Sequence, residues 1–324
     1  MDRSIAAPRT APVRFPPALV AALCALALGA CGGGSEGGDD PVSGPSDVLA
    51  GAPSGEDAPR APVPAGAPRA SIPVIGDESL PVERFGTVGV FGPANESEVL
   101  GFFSRLERPL GAAAYEELRR PALDVCTVAT GSLLEIGLDD ASYTAARLGP
   151  TAPLDAGPAL RLDGPGGNWA TVAGRVGIGT TGYGGEEPVT GPRPENLTLD
   201  VPGGGFPAMR VALPDVRPPE NVSGGGDGED FDYGAPFLWT PGDRPDAEWI
   251  ALEMTAADED DFLETTLVSC RLVDDGEFRL PREAADALDG RFPLDGLFER
   301  VGTVIVRDGD AALVASVQVS SARN

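Results

Sequence analysis

The sequence predicts a mainly β protein, with one or two antiparallel β-sandwich modules behind a disordered tether and one or two short helices. Three observations carry that reading. Apolar segments beyond Ser79 are short and punctuated by Gly, Pro and Asp. Several alternate apolar with polar residues, which places one set of side chains on one face of a strand. Two pairs of such segments flank Asp-Gly turns, whose ready access to positive φ suits tight hairpins.

Taken in chain order, residues 1–30 read as an export signal, with Arg3, Arg9 and Arg14 ahead of the apolar run Phe15 to Ala30. That run is short for a membrane span and is broken by Pro16 and Pro17. Its end, Leu28-Gly29-Ala30-Cys31, resembles the lipobox of bacterial lipoproteins. The resemblance implies that Cys31 is diacylated and becomes the first residue after cleavage. Gly32, rather than Asp, comes next, which by the same resemblance implies sorting to the outer membrane. Residues 31–79 then read as the lipidated cysteine and a tether of Gly, Pro, Ala, Ser and Asp, too poor in large apolar residues to offset the entropy of ordering. A Gly-rich coil of that length reaches roughly 35 to 40 Å, holding the folded part off the bilayer.

Residues 80–213 are expected to form an N-terminal β-rich module, with strands at Phe85 to Phe91, Ala122 to Ala129, Leu160 to Leu162, Ala170 to Val176, Leu197 to Val201 and Met209 to Leu213. Glu96 to Glu107 fits a helix or a strand, and Tyr115 to Arg120 fits one helical turn. Residues 214–234, with Pro218-Pro219 and Gly224-Gly225-Gly226, read as a loop or linker. Residues 235–324 form the C-terminal module. There Ile250, Leu252 and Met254 share a strand face. Thr266 to Val273 and Glu277 to Leu280 read as a hairpin across Asp274-Asp275-Gly276, and Val301 to Arg307 and Ala311 to Val319 as another across Asp308-Gly309-Asp310. Pro281, Ala284, Ala285, Leu288 and Gly290 mark one helix from start to stop. Two sandwiches and one interleaved core both fit this length.

The stretches Phe237 to Gly242 and Val268 to Pro281 resemble a β-sandwich ending common in uncharacterised exported bacterial proteins, and upstream Asn196 to Ala208 resembles such lipoproteins as well. That resemblance implies a fold and a compartment and brings no catalytic residues with it.

Composition closes several functions. The chain carries 24 basic and 50 acidic residues and no His, for a formal net charge of -26, and every basic residue is Arg. Without Lys or His there is no Ser-His-Asp triad, Cys-His dyad, Schiff base, Walker lysine or His-ligated metal. So acidic a surface repels nucleic acid, whose binding needs clustered cations. Adaptation to salt and GC-rich codon usage both account for such a composition.

Cys126 and Cys270 are the thiols left once Cys24 leaves with the signal and Cys31 takes lipid. In an oxidising compartment they are expected to pair, the alternative being two separately buried free cysteines. No cofactor is called for. Calcium is the one metal the acidic runs would suit, at Asp227, Glu229, Asp230 and Asp232 or at Asp258, Glu259, Asp260, Asp261 and Glu264, although such runs are usually solvated surface. Trp169, Trp239 and Trp249 read as core residues before sugar-stacking platforms. The glycines from Gly174 to Gly185 read as a turn-rich loop, since no strand-then-helix context supports a phosphate loop.

The functional expectation is a lipid-anchored outer-membrane protein, facing the periplasm or the cell surface, that binds or supports an envelope protein or polysaccharide and is not an enzyme. From a different class comes a carboxylate-dependent hydrolase of envelope polysaccharide, which needs two carboxyls about 5 to 10 Å apart in an open pocket.

Overall fold

The computed structural model of the chain describes residues 66–78, 81–131, 151–177, 180–185, 187–224, 232–244, 247–257 and 264–321. The elements run β1 (Val74–Ile75), β2 (Val82–Phe91), β3 (Glu96–Leu110), α1 (Ala112–Arg119), β4 (Val125–Gly131), β5 (Thr151–Pro153), β6 (Ala159–Gly164), β7 (Gly167–Gly177) and β8 (Thr180–Gly184). Next come β9 (Val189–Thr190), β10 (Thr198–Val201), β11 (Met209–Ala212), β12 (Glu220–Ser223), β13 (Phe237–Thr240), β14 (Glu248–Ala257), β15 (Thr265–Val273), β16 (Glu277–Phe278), α2 (Arg282–Leu288), β17 (Phe292–Asp308) and β18 (Ala311–Ser320). The mainly β expectation holds, with two short helices among the described residues.

One large sheet runs β11-β10-β6-β7-β8-β3-β2-β18-β17-β14-β15-β4, with β5 and β9 also on β3, and β12-β13-β16 form a small sheet. The strands β18 and β2 run parallel, as do β1 and β17, within an otherwise antiparallel order. Strands from residues 80–213 and from 235–324 are neighbours twice, β2 beside β18 and β4 beside β15.

The large sheet doubles back on itself. Val88, Val99 and Phe103 share one buried cluster with Leu160, Leu199 and Val211, and with Leu313 and Val317 of β18. The β6, β10 and β11 half therefore stacks on the β3, β2 and β18 half, and among the described residues the sheet does not close into a barrel. Close approach needs small residues in places. A Cβ on Gly86 would stand 2.6 Å from the Phe103 ring, and one on Gly101 would stand 2.8 Å from Leu160 Cδ1.

Strand β17 organises the rest, because its alternate residues serve different cores. Val301 and Ile305 pack with Ala70, Ile72, Leu123 and Trp249, next to a cluster of Val82, Phe85, Leu106 and Leu110 that α1 covers through Ala114, Tyr115 and Leu118. On the opposite face, Val304 joins the sandwich core. Phe298 joins a third cluster, in which Phe237 and Trp239 of the small sheet and Ala284 and Leu288 of α2 cover Ile250, Leu252 and Met254. The shared face expected for those three β14 residues is thus the face beneath the small sheet.

Several boundaries differ from expectation, each for a local reason. The fold starts before residue 80: Ala70 N donates to Pro121 O, Ile72 N to Arg119 O, and Val74 pairs with Ile305. Ile72 and Val74 supply the apolar contacts that the expected tether lacked. Glu96 to Glu107 is strand throughout, burying Phe103 on one face and, by alternation, Leu106 and Leu110 on the other, with a register shift against β2 between Val82 and Arg84. Within 214–234, Glu220–Ser223 forms a strand on β13. The Gly174 to Gly185 run is not a loop in its described part but the β7–β8 ladder, where Gly174 lies under the Tyr183 ring and Gly182 beside Phe102.

The two expected hairpins divide. Asp308 pairs with Ala311 across Gly309-Asp310, and Gly309 takes φ +58, the geometry of a tight primed turn. Arg84 of β2 clasps Asp310, which holds that carboxyl below the ordinary aspartate range. The other hairpin does not form. β15 pairs with β14 and β4, whereas β16 pairs with β13. At Gly276, φ +99, the chain turns against Pro241 and crosses to the small sheet, because the Asp274 side chain is held in the interior.

Candidate functional site

Buried polar chemistry concentrates where the two sheets meet. Arg300 sits between Phe298 and Gly302 on the β17 face below the small sheet, so its guanidinium points into an otherwise apolar layer. Asp274 comes directly after the last residue of β15, Glu248 opens β14 opposite Gly302, Trp239 lies on β13, and Gly242 lies just beyond that strand. Asp274 is 0% exposed, Arg300 3% and Glu248 6%.

Asp274 Oδ1 accepts from Trp239 Nε1 at 2.7 Å and from Arg300 Nη2 at 3.3 Å. Its Oδ2 accepts from Arg300 Nε at 2.7 Å and from Gly242 N at 3.0 Å. Arg300 Nη1 donates to Arg217 O at 3.1 Å and Pro218 O at 3.2 Å, and Nη2 donates to Thr240 O at 2.7 Å. All five guanidinium N–H groups are therefore engaged, by one carboxylate and three backbone carbonyls. Those carbonyls belong to the stretches that enter and leave the small sheet. The cluster thus ties both stretches to the centre of β17.

Glu248 stands beside this network without a hydrogen bond from it among the described residues. A Cβ on Gly242 would meet Asp274 Oδ2 at 2.5 Å, Arg300 Nε at 3.0 Å and Glu248 Oε2 at 3.1 Å, so both carboxyls and the guanidinium crowd a point that only glycine leaves open. Burial raises the Glu248 carboxyl above its ordinary value. Arg300 and Arg244 work against that rise, and Asp274 and Asp243 add to it. On the opposite face of β17, Glu299 is also raised by burial, opposed by the Ser320 hydroxyl that donates to it at 2.8 Å.

The residues singled out by sequence are dispersed over the fold. Cys126 and Cys270 are directly opposite on β4 and β15 and form a disulfide with Cα atoms 4.0 Å apart. Trp239 and Trp249 are buried in two different clusters, and Trp169 packs partly buried against the sandwich core. Cys31, Asp227, Glu229 and Asp230 lie outside the described residues, as do Asp258 to Asp261. Asp232 is exposed and accepts from Gly234 N, and Glu264 pairs with Arg291. Among the described residues no three potential ligands gather as a metal site would need.

Glu248 and Arg300 escape the sequence reading, and Asp274 reads there only as a turn residue. One signal is present: Arg300 occupies an inward position in the alternation Phe298, Arg300, Gly302, Val304, where a charge needs a buried partner. Nothing in the sequence names that partner, which lies 26 residues away along the chain.

No protein-family model matches the chain, and no curated protein matches it in sequence.

Proposed function

We propose that this chain is a lipid-anchored protein of the bacterial outer membrane whose β-sandwich binds or supports another envelope component, a protein or a polysaccharide. The observation that carries the reading is Leu28-Gly29-Ala30-Cys31, placed after a basic segment and an apolar run and before a Gly-rich stretch. The Cys126–Cys270 disulfide supports it, since such bonds persist in oxidising compartments. Two acyl chains at Cys31 would anchor far more durably than one, at about 0.8 kcal/mol per buried methylene. Cys31→Ser is expected to move the protein from the membrane fraction to the soluble fraction, read by fractionation and by loss of the diacyl mass. Retention of the variant in the membrane would reject the anchor.

A binding role is favoured over hydrolysis by the placement of the acids. Glu248 and Asp274 are closed within the interior beside a buried Trp239, where a polysaccharide chain has no approach. The purified mature chain is therefore expected to release no products from peptidoglycan or common polysaccharides above background. Turnover that is abolished by Glu248→Gln in a folded chain would instead establish the hydrolase.

A further inference from the structure

We propose that Glu248 is the proton-operated element of a latch that fixes the small sheet to the large one, closed when Glu248 is protonated and loosened when it ionises. Geometry supplies the parts. The formal charges of Asp274 and Arg300 cancel, and the acceptor positions of one and the five donors of the other are already taken. A neutral Glu248 fits beside that pair. An ionised Glu248 adds a second carboxylate near Asp274 Oδ2 around Gly242, with no N–H of Arg300 left to receive it.

The groups facing Glu248 are Asp274 at the end of β15, Arg300 on β17, and Asp243 and Arg244 in the stretch after β13. The two arginines favour its ionised form, the two aspartates oppose it, and loss of hydration dominates. A carboxyl raised in the folded state binds its proton more tightly folded than unfolded. Its contribution is therefore fully present below the ordinary glutamate value of 4.5 and is lost as pH rises through the raised folded value. The part that loosens is defined by what Arg300 holds: the carbonyls of Arg217 and Pro218 before β12, and of Thr240 at the end of β13. Opening there bares Phe237 and Trp239.

Hydrogen exchange of the mature chain from about pH 4 to about pH 9, corrected for intrinsic rates, tests this. The opening equilibrium of residues 217–223 and 237–242 should rise by up to roughly tenfold per pH unit between the free and the folded value of Glu248, while β2, β3 and β18 change less. Glu248→Gln should remain closed across the range. In the wild-type chain the Trp239 indole N–H resonance, which reports the bond to Asp274, should titrate over the same window and lose that step in the variant. Glu299 cannot mimic this result, since it faces the other side of β17. An unchanged pH response in Glu248→Gln would overturn the latch. Should that variant not fold, a wild-type indole resonance that stays flat over the range overturns it equally.

Discussion

Replacing Arg300 with Met is expected to destabilise the fold by about 3 to 5 kcal/mol, the usual result of leaving one charge of a buried pair without its partner. Asp274 would retain Trp239 Nε1 and Gly242 N but lose both guanidinium bonds, and the carbonyls of Arg217, Pro218 and Thr240 would lose their donor. Asp274→Leu alone should cost a comparable amount, since it leaves the guanidinium buried and unneutralised. The double variant separates the two contributions. Removing both charges takes away the desolvation penalty of an unpaired ion, so it should be clearly more stable than the sum of the single losses predicts. Full recovery is not expected, because the partly buried carbonyls of Arg217, Pro218 and Thr240 lose their bonds to the guanidinium, and such a bond to a charged donor contributes about 1.5 to 3 kcal/mol. Urea unfolding of the four proteins, compared at equal m-values, reads the coupling directly. Additive single losses would show that Asp274 and Arg300 do not act as one unit.

Which parts of this architecture are legible in the sequence depends on how local their causes are. The β17–β18 hairpin depends on Gly309 taking positive φ between two alternating runs, and everything needed for it lies within twenty residues. The helix at Arg282–Leu288 is likewise written in Pro281, Ala284, Leu288 and Gly290. The false hairpin at Asp274-Asp275-Gly276 shows the opposite case. Its local pattern is as good, yet Arg300 and Trp239 draw Asp274 inward and the chain changes sheets. Period-two alternation also says nothing about partners. It marks Phe85 to Phe91 and Ala311 to Val319 as strands without revealing that they lie side by side and parallel. The candidate site is illegible for the same reason, since residues from β13, β14, β15 and β17 meet only once the sheets are stacked. The expected tether fails at its end because Ile72 and Val74 are two apolar residues among many small ones, and their value comes from Val301 and Ile305, more than two hundred residues later.

Breaking the Cys126–Cys270 bond is expected to cost about 3 to 5 kcal/mol. The bridge closes a span of 144 residues, for which the chain-entropy model assigns about 5 kcal/mol, and native disulfides in exported domains typically contribute about 2 to 5. Its position adds a local effect. Among the described residues β4 ends the large sheet and has only β15 as a neighbour, so its ladder is supported there from one side. Beyond that ladder, β4 is held by the disulfide, by Asp124, whose Oδ1 accepts from Val273 N at 3.0 Å, and by the Thr130 and Thr266 hydroxyls at 3.2 Å. Alkylation of the protein without reduction should leave Cys126 and Cys270 unmodified. Cys126→Ala with Cys270→Ala should lower the melting temperature by on the order of 10 °C, taking about 2 to 4 °C per kcal/mol for a chain of this size. Exchange of the β4 amides should accelerate more than that of β14, because the interior strand keeps neighbours on both sides. A midpoint unmoved by the double substitution would mean that the β4–β15 ladder and the contacts of Asp124 hold the edge without the covalent bond.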